Sequence, residues 1–553
     1  MNVALEILAA ILLGAALAAA YVGPLRFEPF GTTISIRTLS RPFIAAAIVF
    51  AARIGVGGRP LATAALEALA KVTCGALITA GTIGWISYLS MTCGGADSYG
   101  YVSAGERLLA GAIVQNEPLA EILPANGVRA ATPLGYVPAG RIPNASVPAY
   151  PLGLSAVMAI ATTFFGRSGA FYVAPLCGLI LLAASSVITR AWYGDRMTAL
   201  LASALLAVNP LVFTYSIQAM SDVPAAAALM VGVAALSRTP SLPILAGIAT
   251  ALALVTRPAL APAAILIAAL PLITTGRRAG SVALSYVAPV MAGVLIQGWT
   301  QWYLYGDVFA SGYGRIAGLF SIETAWLNTR SYLYWGYLAL GPVWLAAVVL
   351  GIVTSKRVPR AALALVAVGV ITPYLFYRPY DHWETLRFLL PVIVVATIVA
   401  AAGFIEVARR LAGVVAGSMV ASSVAVAIAW SWMSWLAVNQ VFTMPAQEAR
   451  HRLVGELVAQ VTPTNAVVLA LQHSGSLRYY AGRQTVNWDQ IPAGSFDHSV
   501  NALAAQGLPV FLVIDSAEER AIFEARHGPV LNTGHWLPSG QRRNVQLFEA
   551  PPK

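Results

Sequence analysis

An acidic segment, Gly94-Gly-Ala-Asp97-Ser-Tyr99-Gly-Tyr101, directly follows an apolar stretch that runs from Val72 to Met91. Hydrocarbon offers no hydrogen-bond partners, so an ionised carboxylate at the border of a membrane is costly and marks a candidate functional site. We predict that Asp97 removes a proton from a hydroxyl group as a general base, with Tyr101 on the same helix face. The structural alternative is that Asp97 caps a helix that begins at Ser98.

A second acidic residue lies between two apolar segments, in the run Gln218-Ala-Met-Ser-Asp222-Val-Pro224. Asp222 is expected to cap the next helix, because Pro224 suits a first helical turn. It could also bind the acceptor hydroxyl, or hold a divalent metal together with Asp97. The sequence leaves these roles open.

Two further loops combine aromatic, basic and glycine residues. The run from Trp302 to Arg315 includes Tyr313 and suits a mobile loop over a sugar or an isoprenoid, although tryptophan and tyrosine are also enriched at membrane interfaces. The run from Tyr377 to Pro391 includes Arg387 at the start of an apolar span. An arginine there either extends to lipid headgroups or binds a phosphate through its planar fork of donors. The same run also contains Arg378, His382 and Glu384.

The composition predicts an integral membrane protein. Of the 553 residues, 58% are hydrophobic and only 10% are charged, and the mean hydropathy is +0.72. The net charge of +11 is divided among short clusters between apolar segments. This distribution suits membrane topology and argues against nucleic-acid binding, which would need one basic face.

The apolar segments predict a polytopic α-helical protein with about thirteen spans of roughly 20 residues each. Arginine and lysine clusters then fall on alternate loops if the N-terminus is cytoplasmic. The long loops, including residues 92–150, and the C-terminus would face outward from the inner membrane. The segment from Tyr150 to Phe165 is predicted to be interfacial or re-entrant, since counting it as a span would move Arg190 and Arg196 outside.

The part after Asn439 has a pattern of strands and helices that differs from the apolar spans before it. Ala466–Leu471, Pro509–Ile514 and Val545–Phe548 are predicted as strands, with helices over Ser474–Ala481 and Ala517–Arg526. We therefore divide the chain into a transmembrane module (residues 1–440) and a small periplasmic α/β domain (residues 441–553). Acceptor docking is one hypothesis for the role of that domain.

Taken in order, these segments resemble the GT-C glycosyltransferases, in particular the protein-mannosyltransferase-like branch that includes the lipid A aminoarabinose transferase. The resemblance covers roughly Val72 to Val394. Its elements are Asp97 in the first large loop, Tyr150-Pro-Leu-Gly153 before Phe165-Gly166, Asn209-Pro210 leading into Ser221-Asp222, Tyr305-Gly-Asp307 with Ser311-Gly-Tyr-Gly314, and Arg387-Phe-Leu-Leu-Pro391. The family's longer His-Pro-Pro pattern is reduced here to Ala149-Tyr150-Pro151.

The resemblance implies a polyprenyl-phosphate-linked sugar donor and a hydroxyl acceptor (glycan, lipid or protein), both handled on the non-cytoplasmic side. It makes Asp97 the general base, Asp222 a second acidic residue and Arg387 a ligand of the donor phosphate. A single essential carboxylate fits inversion, because phosphate leaves without protonation. A divalent metal between Asp97 and Asp222 could assist, although nothing in the sequence demands one. The surrounding residues are predicted as donor phosphate or lipid contacts (Arg378, His382, Tyr313, Arg315) and as sugar or acceptor contacts (Tyr99, Tyr101, Glu384).

A multi-span transporter or flippase of a lipid-linked or anionic substrate is the main alternative. It would carry helix breaks or charges within its spans and two related halves. Here the polar residues lie in long loops on one side, and no repeat is evident. A structural or assembly protein would not need Asp97.

Overall fold

The computed structural model describes residues 2–22, 25–27, 34–36, 44–46, 48–49, 61–124, 126–274, 279–533 and 536–550. Most of these residues are helical. The span predicted near Pro42 lies largely outside the described residues. The span predicted near Val3 corresponds to the helix Asn2–Val22.

Six helices among the described residues are long and apolar enough to cross a membrane. Two further pairs of helices pass the same test together but are bent, by 60° and 105°, so the described part contains up to eight such spans. The long helices are Ala65–Ser87, Gly169–Tyr193, Ala279–Tyr305, Arg357–Phe376, Trp383–Ala412 and Val414–Val438, and the bent pairs are Arg196–Ala207 with Pro210–Ser216 and Thr324–Leu340 with Pro342–Thr354. The larger count of about thirteen stays a prediction.

Several apolar segments form helices of 16 residues or fewer in the structure. Leu152–Phe165 has 14 residues, which is about 21 Å at 1.5 Å per residue and shorter than the roughly 30 Å hydrocarbon core. This length suits the predicted interfacial or re-entrant placement. The other short apolar helices are Asp222–Ser237, Pro243–Thr256, Ala261–Ile267 and Leu270–Thr274.

The bend near Asn209 has a local cause. The Asn209 carboxamide accepts hydrogen bonds from the backbone N–H groups of Leu211 and Val212 at 3.0 and 3.3 Å. Pro210 is the first residue of the new helix, where its missing N–H costs nothing. Asparagine and proline therefore end one helix and start the next, which directs the chain toward Asp222.

The membrane part packs around the helix Leu390–Ala412, in which Val394, Ile398 and Val399 are fully buried. Small residues allow its neighbours to approach closely. The backbone of Gly403 lies directly against Gly351 of a neighbouring helix, and any side chain at Gly403 would collide with it. Small residues at such crossings are typical of helix packing in membranes.

The segment between the first long helix and Tyr150, here called the long loop (residues 92–150), is folded. It contains the helices Asp97–Leu109 and Gly127–Ala131. It also contains a three-stranded antiparallel sheet in the order Gln115–Asn116, Ala145–Pro148, Tyr136–Pro138. A hairpin of Ala310–Ser311 and Gly314–Arg315 lies between two long helices farther along the chain.

The C-terminal part contains a five-stranded mixed sheet. Its spatial order is Leu537–Arg542, Val545–Glu549, Val510–Ile514, Val467–Leu469 and Gln484–Val486, and the last three strands are parallel. The three predicted strands and the helix near Ala517 are present, whereas the strands at Gln484 and Leu537 are additional. The helices around the sheet are Met444–Val461, Phe496–Ala505 and Ala517–His527, with a short α-helical turn at Ser474–Ser476 that continues as a π-helix over Leu477–Ala481.

Successive residues of the central strands pack into two different cores. Phe511 and Val513 pack against Val454 and Val458 of the helix Met444–Val461. Val510, Leu512 and Ile514 share the other core with Leu119, Leu123, Ala130 and Ala131, which belong to the long loop. The period of two follows from the pleat of a strand. One face of the C-terminal sheet is therefore completed by the long loop.

Candidate active site

A cavity of about 620 Å³, here called the first cavity, lies where the long loop meets the membrane helices. Four segments that are distant in the chain bring charged side chains to its wall: Asp97, Asp222, Arg257 and Arg387. The rest of the wall is mainly aromatic and aliphatic. It includes Tyr101, Tyr150, Pro258, Ala259, Pro262, Gln297, Gln301, Tyr313, Ile316, Leu319, Phe320, Tyr374, Tyr377 and Phe388.

Asp97 is the first residue of the helix Asp97–Leu109 and faces the first cavity. Its carboxylate lies 3.7 Å from the guanidinium of Arg387 (Oδ2 to Nη1) and its side chain keeps 34% of its exposure. Within the described residues no backbone N–H of the helix donates to this carboxylate, so the geometry gives no support to the capping alternative. A carboxylate at a helix N-terminus is also favoured by the helix dipole.

Asp222 forms the closest ion pair of the site, with Arg257. Arg257 Nη1 donates to Asp222 Oδ1 at 2.6 Å, and the Asp222 side chain is almost completely buried. Asp222 occupies the first turn of its helix, and Ser221 occupies the cap position. The expected cap role is therefore replaced by an ion pair that holds Arg257 at the cavity wall.

Arg257 was not among the predicted site residues. It follows the helix Pro243–Thr256, and Pro258 starts a short 3-10 turn immediately after it. The sequence contained one indication of its role, because an arginine in this turn breaks the predicted distribution of positive charge between loops.

Arg387 lies on the 3-10 turn that leads into the helix Leu390–Ala412. Its guanidinium carbon is 5.4 Å from the centroid of the Phe388 ring, and the guanidinium carbon of Arg257 is 5.3 Å from the same centroid. Phe388 in turn stacks on Tyr374, with centroids 4.7 Å apart. Two cations thus share one aromatic support, which orients both guanidiniums at the cavity wall.

Two tyrosines next to Asp97 remain protonated donors. The pKa values of Tyr101 and Tyr150 are raised above their ordinary range. Burial is the larger cause, and the negative charge of Asp97 is the second. The Tyr101 hydroxyl donates to Ser221 Oγ at 3.0 Å, which links the Asp97 helix to the Asp222 helix. Gly100 lies directly against the Tyr150 ring, where a side chain would collide with it.

The structure does not bring three of the predicted residues to this cavity. Tyr99 is buried against Tyr136 and Gly475, on another face of its helix from Asp97. Arg378 is exposed and does not line the cavity. Arg315 is paired with Asp307 at 3.2 Å and lines a neighbouring cavity. The site roles predicted for these three residues are therefore corrected.

The remaining predicted residues lie at the wall. Tyr313 lines the first cavity and packs edge-to-face on Tyr150, with centroids 6.1 Å apart. His382 and Glu384 also line it, and His382 Nδ1 lies 3.7 Å from Glu384 Oε2. The backbone carbonyl of Glu384 accepts a hydrogen bond from the Tyr215 hydroxyl at 3.2 Å.

Asp97, Asp222 and Glu384 are the carboxylates at the wall of the first cavity. Among the described residues, no three or more histidine, cysteine, aspartate or glutamate side chains are arranged to hold a metal ion. Asp97 and Asp222 each have an arginine as the neighbouring cation. A divalent metal between Asp97 and Asp222 stays a prediction.

No protein-family model matches the sequence, and no curated protein matches it either. Solved structures do match the fold. ArnT from Cupriavidus metallidurans in its apo state superimposes with a TM-score of 0.54 at 12% identity, over 86% of this chain and 98% of ArnT. The chain has the fold of a GT-C glycosyltransferase. This confirms the architecture that the sequence resemblance implies.

Two further GT-C structures agree. ArnT from the same organism bound to undecaprenyl phosphate gives a TM-score of 0.53 at 11% identity, over 86% of this chain and 98% of ArnT. The archaeal oligosaccharyltransferase AglB from Archaeoglobus fulgidus, in complex with an inhibitory peptide and a dolichol-phosphate, gives 0.51 at 12% identity, over 84% and 72% of the two chains. At these identities the likeness establishes the GT-C fold of this chain, and its chemistry is argued from its own cavity.

Proposed function

We propose that this protein is a membrane-embedded glycosyltransferase that moves a sugar from a polyprenyl-phosphate-linked donor to a hydroxyl acceptor. The observation that carries the proposal is the joint placement of Asp97, Arg257 and Arg387 around one largely apolar cavity. A carboxylate and two guanidiniums are the groups that a hydroxyl attack on a lipid-phosphate sugar requires. The undecaprenyl phosphate and dolichol-phosphate present with ArnT and AglB are consistent with a donor of this class.

The donor phosphate is proposed to bind Arg387 and Arg257. Guanidinium groups present paired donors that match phosphate oxygens, and an apolar surrounding strengthens that attraction. The isoprenoid chain would follow the apolar wall formed by Pro262, Ile316 and Leu319. Binding of the phosphate would also draw Arg387 away from Asp97 and leave that carboxylate free.

Asp97 is proposed as the general base. The acceptor oxygen attacks the anomeric carbon of the donor sugar, the bond from that carbon to the phosphate oxygen breaks, and the acceptor proton passes to Asp97. The polyprenyl phosphate leaves with the bonding electron pair, which the two arginines stabilise. A direct displacement of this kind inverts the anomeric centre. General-base action typically contributes about 10²- to 10⁴-fold in rate.

The orientation is part of the proposal. The N-terminus would lie in the cytoplasm, and the first cavity and the C-terminal sheet on the outer side of the inner membrane. The distribution of arginine and lysine between loops supports this arrangement.

The test uses the full-length protein in native membranes, supplied with a panel of polyprenyl-phosphate sugars. The wild-type protein should release polyprenyl phosphate, and Asp97→Asn should lower the rate by about 10²- to 10⁴-fold. Asp97→Asn should still bind undecaprenyl phosphate. Release at the wild-type rate by Asp97→Asn contradicts the proposal, and transbilayer movement of an intact lipid-linked sugar would identify a flippase instead.

A further inference from the structure

A second cavity, of about 730 Å³, lies on the other side of the hairpin Ala310–Arg315 from the first. Its walls come from three parts of the chain: the long loop, the hairpin, and the turn at Asn487 to Gln490 that follows a strand of the C-terminal sheet. Its volume lies within the range of about 300–1,000 Å³ that is usual for small-molecule sites.

The walls of the second cavity are held together by hydrogen bonds. The backbone N–H of Asn487 donates to the carbonyl of Ala130 at 2.7 Å, which joins the C-terminal part to the long loop. Gly140 N–H donates to the carbonyl of Leu304 at 3.0 Å, and the Tyr305 hydroxyl donates to the carbonyl of Pro148 at 2.9 Å. These hydrogen bonds therefore fix the positions of the segments that line the second cavity.

The lining of the second cavity mixes apolar and polar groups and is more polar than that of the first cavity. Arg129 is exposed there, and none of the described residues forms an ion pair with its guanidinium or accepts a hydrogen bond from it. Gln490 adds a half-buried carboxamide. Asn487 and Thr132 also line the cavity, but the Asn487 carboxamide oxygen accepts from the Asp489 N–H and the Thr132 hydroxyl donates to the Val128 carbonyl. Arg315 is already neutralised by Asp307, at 3.2 Å. Arginine and carboxamide side chains donate hydrogen bonds in defined directions, as recognition of hydroxyl-rich molecules requires.

The two cavities share a wall. Tyr305, Ser311, Gly312 and Tyr313 line both of them. Tyr313 packs edge-to-face on Tyr150, which stands beside Asp97 in the first cavity. The hairpin therefore separates the largely apolar first cavity, which contains the charged groups, from the second cavity.

We infer that the second cavity binds the acceptor, and that the acceptor is a hydrophilic glycan with an acidic substituent placed at Arg129. The inference rests on the proposed function. It adds the chemical class of the acceptor and the side from which the acceptor enters. A donor lipid needs an apolar route, which the first cavity supplies. An acceptor must reach Asp97 from another direction, and the more polar second cavity beyond Tyr313 supplies it.

The experiment places a photoreactive p-benzoylphenylalanine at Gln490 of the full-length protein in native membranes. A glycan adduct, identified by mass spectrometry of the crosslinked peptide, is expected. The same group at Gln297, which lines the first cavity, should capture lipid instead. At the exposed Glu518, outside both cavities, it should capture no glycan. A peptide or lipid adduct at Gln490, or no adduct there while Gln297 captures lipid, overturns the inference.

A second measurement separates this inference from the proposed function. Arg129→Ala with Gln490→Ala should lower the release of polyprenyl phosphate in native membranes at least tenfold, with undecaprenyl phosphate binding unchanged. Glu518→Ala should leave both readouts unchanged. In an Asp97→Asn background the glycan adduct at Gln490 should persist although transfer is lost. Full transfer by Asp97→Asn would refute the general base alone, and wild-type release by the Arg129 and Gln490 double variant would refute the acceptor site alone.

Discussion

Arg257 and Asp222 are joined by a 2.6 Å hydrogen-bonded ion pair, although Asp222 lies on a helix, Arg257 follows a different helix, and the two are 35 residues apart. Their pairing determines where the guanidinium of Arg257 lies in the first cavity. A second pair, Asp97 with Arg387, is longer and more exposed. The tight pair is suited to positioning, and the loose pair is suited to separation when a substrate phosphate arrives.

The tight pair predicts strong coupling between its members. Arg257→Gln should destabilise the protein by about 3–5 kcal/mol, because it leaves the buried Asp222 carboxylate without its partner. Asp222→Asn in the same chain should restore much of that loss. Thermal unfolding of the two single variants and the double variant in detergent measures the coupling. Additive losses would show that the pair does not act as a unit.

The loose pair predicts a specific effect on donor binding. Arg387→Ala should weaken undecaprenyl phosphate binding at least tenfold. Arg387→Lys should restore it only in part, because an ammonium lacks the planar fork. Arg378→Ala is the matched control, since Arg378 lies only nine positions away but is exposed and outside the cavity. Equal weakening by both alanine variants would mean that surface charge, and not the cavity, attracts the phosphate.

The two tyrosines of the Asp97 helix should behave differently. Tyr101→Phe removes the hydroxyl that donates to Ser221 and should slow transfer several-fold. Tyr99→Phe should leave the rate of transfer near the wild-type value, because the ring of Tyr99 packs away from the first cavity. Rates of polyprenyl phosphate release compare the two. A larger loss for Tyr99→Phe would contradict the geometry of this helix.

Acid should loosen the contact between the long loop and the C-terminal part. Burial, and then the neighbouring His473, lower the pKa of His451 to about 3, from about 6.5 in an unfolded chain. Between these values the unfolded state binds more protons, so stability falls as the pH decreases below about 6.5, by up to about 1.4 kcal/mol per pH unit. The ring of His451 lies against Gly94, close to Asp97 in the chain.

The measurement is the change in melting temperature between pH 7.5 and pH 5.5. It should be larger for the wild-type protein than for His451→Gln. His498→Gln, at an exposed position, is the control and should keep the wild-type change. Equal changes in all three proteins would assign the acid sensitivity to other groups.

The sequence predicted which residues meet at the first cavity where one residue carried the pattern by itself, and the roles of these residues stay predictions. Asp97, Asp222 and Arg387 each break an apolar context, and all three line one cavity. Arg257 was missed because its partner lies on another helix, a relationship that spacing along the chain does not record. Tyr99 was assigned wrongly because successive residues of a helix are about 100° apart, so residues 97 and 99 face different directions.

The C-terminal part shows the same limit. Short continuous runs of hydrophobic residues predicted its buried strands, because a run of this length bounded by polar residues is typical of a strand that is covered on both faces. The same pattern could not indicate that Val510, Leu512 and Ile514 pack against Leu119 and Leu123 of the long loop. Packing between segments so far apart in the chain is a property of the folded molecule.

The core shared by the long loop and the C-terminal sheet has a consequence for biosynthesis. The ribosome makes Leu119 and Leu123 early and Leu512 near the end, so the helix that begins at Asp97 lacks part of its final surroundings until translation is almost complete. A nascent or prematurely terminated polypeptide would thus reach the bilayer with the proposed general base unsupported. Under the proposed function, only the finished chain would transfer sugar, which would protect the lipid carrier from unproductive turnover during membrane insertion.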